Sequence, residues 1–291
     1  VCANGAPIDL FAQLGGTPDV GGTWSFNGNA HSSAFDPLTD AAGVYTYTIT
    51  VPPPCQNASS TVTVLVQAPP DAGIDGMITL CSTSPTTAMF PALTGAQPGG
   101  TWNFQGNAHS ASFQPGSDVA GVYTYTVAGT APCANDQSTV MVTVNQPPNA
   151  GLDGSLTVCS IGAAIDLFTV LGGSPEAGGS WTQNGIAHAN IYDPAVDMSG
   201  TFTYTVAGNV PCPSDAATVT ITEIVPPDAG VDGAATLCSS GSAIDLFTQL
   251  GGTPAAGGVW SGPSPVNAGQ FDPGTMLSGA YTYTVNGTAP C

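Results

Sequence analysis

Eight cysteines, three histidines and a recurring pair of acidic or amide side chains are the residues of this 291-residue sequence whose types and spacing could do chemistry. The cysteines form two series: Cys2, Cys81, Cys159 and Cys238 follow one motif, and Cys55, Cys133, Cys212 and Cys291 each follow a proline. Successive members of the two series lie 53, 52, 53 and 53 residues apart. That regularity predicts one disulfide inside each unit of about 78 residues, joining Cys2 to Cys55, Cys81 to Cys133, Cys159 to Cys212 and Cys238 to Cys291. Pairing across a joint, such as Cys55 with Cys81, stays open as the alternative. A loop of that length would contribute about 4 kcal/mol per bridge. No CxxC occurs, and His31, His109 and His188 lie about 78 residues apart, so zinc has no local ligand set.

The acidic pairs sit in a thirteen-residue phrase, "PPDAGIDGMITLC" at 69–81, repeated as "PPNAGLDGSLTVC" at 147–159 and "PPDAGVDGAATLC" at 226–238. Asp71 with Asp75, Asn149 with Asp153, and Asp228 with Asp232 could supply oxygens to a calcium ion that stiffens the junction. Calcium takes six to eight oxygens, and two side chains fall short. The competing expectation is an Asx-turn, in which the first side chain bonds nearby backbone and glycine takes the φ > 0 position. No nucleophile or acid recurs beside the histidines in sequence, and Asn267 replaces the fourth, so they read as polar loop residues. Asp36, Asp193 and Asp272 are matched by Gln114 in the second unit, which argues against an essential carboxylate. An enzyme is therefore not expected. Asn57 and Asn286 match the N-glycosylation pattern, a weak signal in a Ser- and Thr-rich chain.

Composition narrows the partners. There is no Lys or Arg, against 19 Asp and Glu, for a formal charge of −19. Such a chain cannot neutralise phosphates, so nucleic acid is excluded as a partner, and no membrane insertion is expected in this segment. Trypsin-like proteases find no cleavage site, which suits an extracellular protein. Disulfides point the same way.

The elements that must position these residues are strands. "STVTVLV", "STVMVTV" and "ATVTITEIV" alternate polar and apolar residues with period two. Trp24, Trp102, Trp181 and Trp260, each after two glycines and one further residue, read as core indoles. Tyr47, Tyr125, Tyr204 and Tyr283 in the "YTYT"-like runs read as core rings, and the tyrosine of Gly-x-Tyr as a corner residue with its hydroxyl on backbone. Asp9, Asp166 and Asp245 are placed to cap a single helical turn, with Ala88 at that place in the second unit. With 38 Gly and 26 Pro for turns, the expected fold is all-β. It is a tandem array of four immunoglobulin-like β-sandwich repeats of about 78 residues, with about seven strands and one disulfide each. The boundaries are 1–68 (N-terminally truncated), 69–146, 147–225 and 226–291 (lacking the last strand); the pattern is cut at both ends, as expected of a window on a longer polypeptide.

The string "DAGxDG…C…LFxxLGG…GGTWS…FDP…AGxYTYTV…PC…ATVTV" resembles the immunoglobulin-like repeats of giant surface and adhesin proteins of gliding bacteria exported by the type IX secretion system. The resemblance covers the whole chain four times over. It implies an extracellular, bacterial cell-surface stalk of many domains and does not name a ligand. The expected role is structural: repeats of an extracellular filament or stalk, stiffened by disulfides and proline joints, with copies of itself as lateral partners. The alternative is an adhesin module that binds surface glycans. No cofactor is required beyond the calcium just considered.

Overall fold

A computed structural model describes residues 1–291. Alternating polar and apolar residues form strands whose inward sides meet, and apart from four 3₁₀ turns every regular element is a strand. No helix is long and apolar enough to cross a membrane. The chain divides into two compact units, Val1–Pro147 with Val210–Cys212, and Pro148–Asn209 with Pro213–Cys291.

The second repeat shows the plan. Its larger sheet has five strands: Asn107–His109, Thr101–Phe104 (the tryptophan strand), Gly121–Val127 (the tyrosine strand), Asp136–Asn145 (the closing strand) and Gly76–Cys81 (the head strand). All neighbours are antiparallel except the last pair, where the head strand runs parallel to the closing strand, Gly76 opposite Val140 and Cys81 opposite Asn145. Thr87–Ala88 pairs with Ser112–Phe113 as the second layer. Between the layers lie Trp102, Tyr123, Tyr125, Val140 and Val142 from the sheet and Met89, Leu93 and Phe113 from the opposite side. Such a cluster is the dominant stabilising term of a small sandwich.

The third repeat repeats this order with closing strand Asp215–Ile224 and head strand Gly154–Cys159. The first has four strands in its larger sheet, ending at closing strand Ala58–Val64; only a bridge from Cys2 to Gln67 marks the head position. The fourth has a two-stranded sheet, Val259–Ser261 with Thr282–Thr284, and its residues 233–238 form no strand.

That difference corrects one expectation. Trp24, Trp102 and Trp181 are buried, as are Tyr47, Tyr125 and Tyr204, but Trp260 and Tyr283 are only half-buried. No closing strand covers them within residues 226–291, and a groove of about 880 Å³ lies open over Leu246, Leu250, Trp260 and Phe271.

The single helical turn is 3₁₀. At Leu167–Val170 and Leu246–Gln249 the carboxylates of Asp166 and Asp245 accept the amides of Phe168 and Phe247 at 3.0 and 2.9 Å. Asp9 does the same for Phe11, whereas Phe90–Ala92 has no side-chain cap and carries proline in its first turn.

Candidate functional site

The cysteines depart most from expectation. The structure joins Cys2 to Cys133, Cys81 to Cys212 and Cys159 to Cys291, at Cα separations of 5.0, 4.9 and 5.1 Å. Each bridge links the head cysteine of one repeat to the tail cysteine of the next. The expected pairs inside a repeat do not form, nor does Cys55 with Cys81; Cys55 and Cys238 are free and exposed. Geometry explains the correction. Because head and closing strands are parallel, Cys81 lies beside Asn145 at the end of the closing strand, while Cys133 precedes its start at Asp136. Ten residues at ~3.3 Å put the two cysteines about 30 Å apart, against the roughly 7 Å a disulfide spans.

The three staples share one local construction. Cys81 is buried, Ser82 N–H donates to the Asn145 carbonyl at 2.9 Å, and the Cys212 sulfur rests 3.4 Å from that same carbonyl. Asn145 Nδ2 donates to the Val210 carbonyl at 2.8 Å, fixing the tail loop beside it. Gln67 plays the part of Asn145 for Cys2 and Cys133, receiving Ala3 N–H at 2.8 Å with the Cys133 sulfur at 3.4 Å. Ile224 does so for Cys159 and Cys291, receiving Ser160 N–H at 2.9 Å with the Cys291 sulfur at 3.1 Å.

The joint phrase closes the second and third repeats on themselves. Asp71 Oδ1 accepts Gly73 N–H at 2.8 Å, an Asx-turn in which Gly73 sits at φ 81°. Asn149 and Asp228 repeat it on Gly151 and Gly230. Ala72 is fully buried, and its amide donates to Asp136 Oδ2 at 2.7 Å. Asp75 Oδ1 accepts Thr139 N–H at 2.6 Å, and Ser138 Oγ donates to the Gly73 carbonyl. Ala150 on Asp215 and Asp153 with Thr218 reproduce the arrangement in the third repeat. The paired side chains thus bond backbone amides on separate stretches. No group of three or more His, Cys, Asp or Glu stands together where a metal ion would need one. Ala229 is exposed in the fourth repeat, where residues 226–291 include no closing strand.

Tyr45, Tyr123 and Tyr281, the tyrosines of Gly-x-Tyr, are corner residues as expected, each donating to a carbonyl four residues back at 2.7 Å. One feature escaped the sequence. The second tyrosine is a clamp as well as a core ring: Tyr125 Oη accepts Gly100 N–H at 2.8 Å and donates to the Gln97 carbonyl at 2.7 Å. Tyr47, Tyr204 and Tyr283 hold Gly22, Gly179 and Gly258 alike. A Cβ on Gly100 would come within 2.6 Å of the Tyr125 ring, so the second glycine before each tryptophan is there for close approach.

An acid does stand beside each histidine. His31, His109 and His188 Nε2 lie 3.3, 3.6 and 3.3 Å from Asp40, Asp118 and Asp197. The pairing residue is nine positions downstream, an interval easily missed by eye. Asp40 also accepts the Asp36 amide, and this bond, helped by His31, holds its carboxyl below the ordinary range. Each ring packs edge-on against Tyr45, Tyr123 or Phe202, with its Nδ1 against the next residue's carbonyl. These contacts tie a loop to the core. Methionine replaces the acid at Met276, where the fourth repeat has Asn267, and the Asp272 amide meets its sulfur.

No family model matches this sequence, and the search of curated proteins returned no match. Among solved structures, the titin fragment I67–I69 is 15% identical over 72% of this chain and 90% of its own, with a TM-score of 0.42. The eight N-terminal immunoglobulin domains of Down syndrome cell adhesion molecule are 13% identical over 87% of this chain and 39% of theirs, TM-score 0.38. The insect immune protein hemolin is 12% identical over 70% and 67%, TM-score 0.33. This chain's own sheets, with their buried tryptophans and corner tyrosines, make it an all-β run of tandem immunoglobulin-like domains, and its disulfides fit a secreted or surface protein.

Proposed function

We propose that this chain is a run of structural repeats in an extracellular bacterial filament or cell-surface stalk, whose copies pack laterally on one another. The observation that carries the reading is the staple, present at every joint between the four repeats and built the same way each time. A ligand-binding array gains nothing from bonding each module to the next, whereas a shaft does.

Lateral packing is supported by a recurring apolar position. The residue before the second Asp of the joint phrase is Ile74, Leu152 or Val231, and each is about two-thirds exposed. Each also bridges its own repeat's backbone, so the side chain is held at the surface at a fixed period. Exposed apolar groups that recur in register suit a partner with the same period, namely another copy. The glycan-binding alternative calls for exposed aromatics, and none of the large exposed apolar residues is aromatic.

Electron microscopy of native material at fixed ionic strength, with calcium and after chelation, tests the reading. Ordered fibres with a long axial repeat are expected. Separate flexible strings in both conditions would remove lateral assembly and favour a tethered adhesin.

A further inference from the structure

The cysteine spacing has a second regularity, which the pairing turns into a mechanical circuit. Cys55 to Cys81, Cys133 to Cys159 and Cys212 to Cys238 are each 26 residues apart. A path from Cys2 crosses its staple to Cys133, follows 26 residues to Cys159 and crosses the next staple to Cys291. An interleaved path starts at Cys55, follows 26 residues to Cys81, crosses to Cys212 and follows 26 residues to Cys238. Neither path runs through a tryptophan or tyrosine strand.

We infer that the first of these covalent tracks, rather than the folded sandwiches, carries tension along the chain, and that the interleaved one takes it up only where a staple of the first is opened. Force applied to a cross-linked polymer tightens its shortest covalent path, and the longer loops stay slack. Between Cys2 and Cys291 that path holds 26 backbone residues, at ~3.5 Å each a ceiling of about 90 Å; without staples the same cysteines could separate to about 1,000 Å. The 26 residues are already extended over much of their length. They comprise closing strand Asp136–Asn145, the proline pair Pro147–Pro148, and head strand Gly154–Cys159. Two adjacent prolines hold an extended backbone with little slack to give. The path therefore assigns a purpose to the fixed 26-residue interval and to the prolines inside it: the thread between staples is short and mostly strand, so rupture of a core need not lengthen the chain past it.

This deepens the filament reading by naming what the shaft withstands, but the path depends only on connectivity. Single-molecule stretching of the 291-residue chain, held through tags at its two ends and carrying Cys55→Ser and Cys238→Ser to prevent stray pairing, tests it. The oxidised chain is expected to stop lengthening at about 10 nm, and the same molecule after dithiothreitol to unfold in steps to about 100 nm. Cys159→Ser, which opens the third staple alone, is expected to lengthen the oxidised limit by roughly 35 nm. Oxidised chains that yield steps of tens of nanometres would overturn the tracks. If Cys159→Ser fails to fold, the comparison before and after reductant on one molecule decides alone. Microscopy that shows no fibres would remove the filament and leave the force curve unchanged, so the two failures are distinguishable.

Discussion

The hydroxyl of Tyr125 holds the turn before Trp102 by two hydrogen bonds, one received from Gly100 and one given to Gln97, while its ring fills the core. Tyr125→Phe keeps the ring and leaves a part-buried amide and carbonyl without it. The expected cost is about 1–3 kcal/mol. Gly100→Ala drives a methyl into that ring and is expected to cost at least ~2 kcal/mol, against a smaller loss for Gly99→Ala, whose added methyl meets open space although its φ of 93° strains the backbone. Urea melts of the three variants give the order, and equal midpoints for Gly100→Ala and the native chain would show that the clamp holds nothing. The double glycine before tryptophan was plain in the sequence. Its reason was not, because the tyrosine it meets is 25 residues away.

Among the elements, the joint phrase behaves as a latch between the head of a repeat and the start of its own closing strand. Asp75 receives the Thr139 amide, and Asp136 receives that of Ala72. Asp75→Ala leaves the Thr139 amide without its acceptor, and a loss of about 1–2 kcal/mol is expected in calcium-free buffer. Millimolar calcium is expected to leave the native melting temperature where it is, since Asp71 and Asp75 each hold a backbone amide and no third acidic side chain stands with them. A calcium-dependent rise that disappears in Asp75→Ala would restore the metal reading. The strands themselves were legible from their period-two alternation. The parallel placement of the head strand was not, since alternation states which face is buried and not which neighbour lies alongside.

For the molecule as a whole, connectivity decides the mechanics. Each staple closes a loop of 131 or 132 residues, worth about 5 kcal/mol in the chain-entropy account, on top of the mechanical short cut. Digestion without reduction, by proteases that cut at acidic or aromatic residues because trypsin has no site, is expected to recover Cys81 joined to Cys212. In a polypeptide of residues 1–291, the thiols of Cys55 and Cys238 should react with a maleimide before reduction. A fragment joining Cys81 to Cys133 would return the bridges to the interior of each repeat.

The sequence by itself determined the repeat, the all-β class and the buried tryptophans of the first three repeats, because each rests on local pattern: alternation, turn residues and a fixed period. Tertiary structure alone decided which cysteines meet, because equal spacing within a repeat says nothing of direction. The parallel head strand carries Cys81 to the far end of the sandwich, about 30 Å from Cys133, and there the tail loop of the next repeat brings Cys212 within bonding distance.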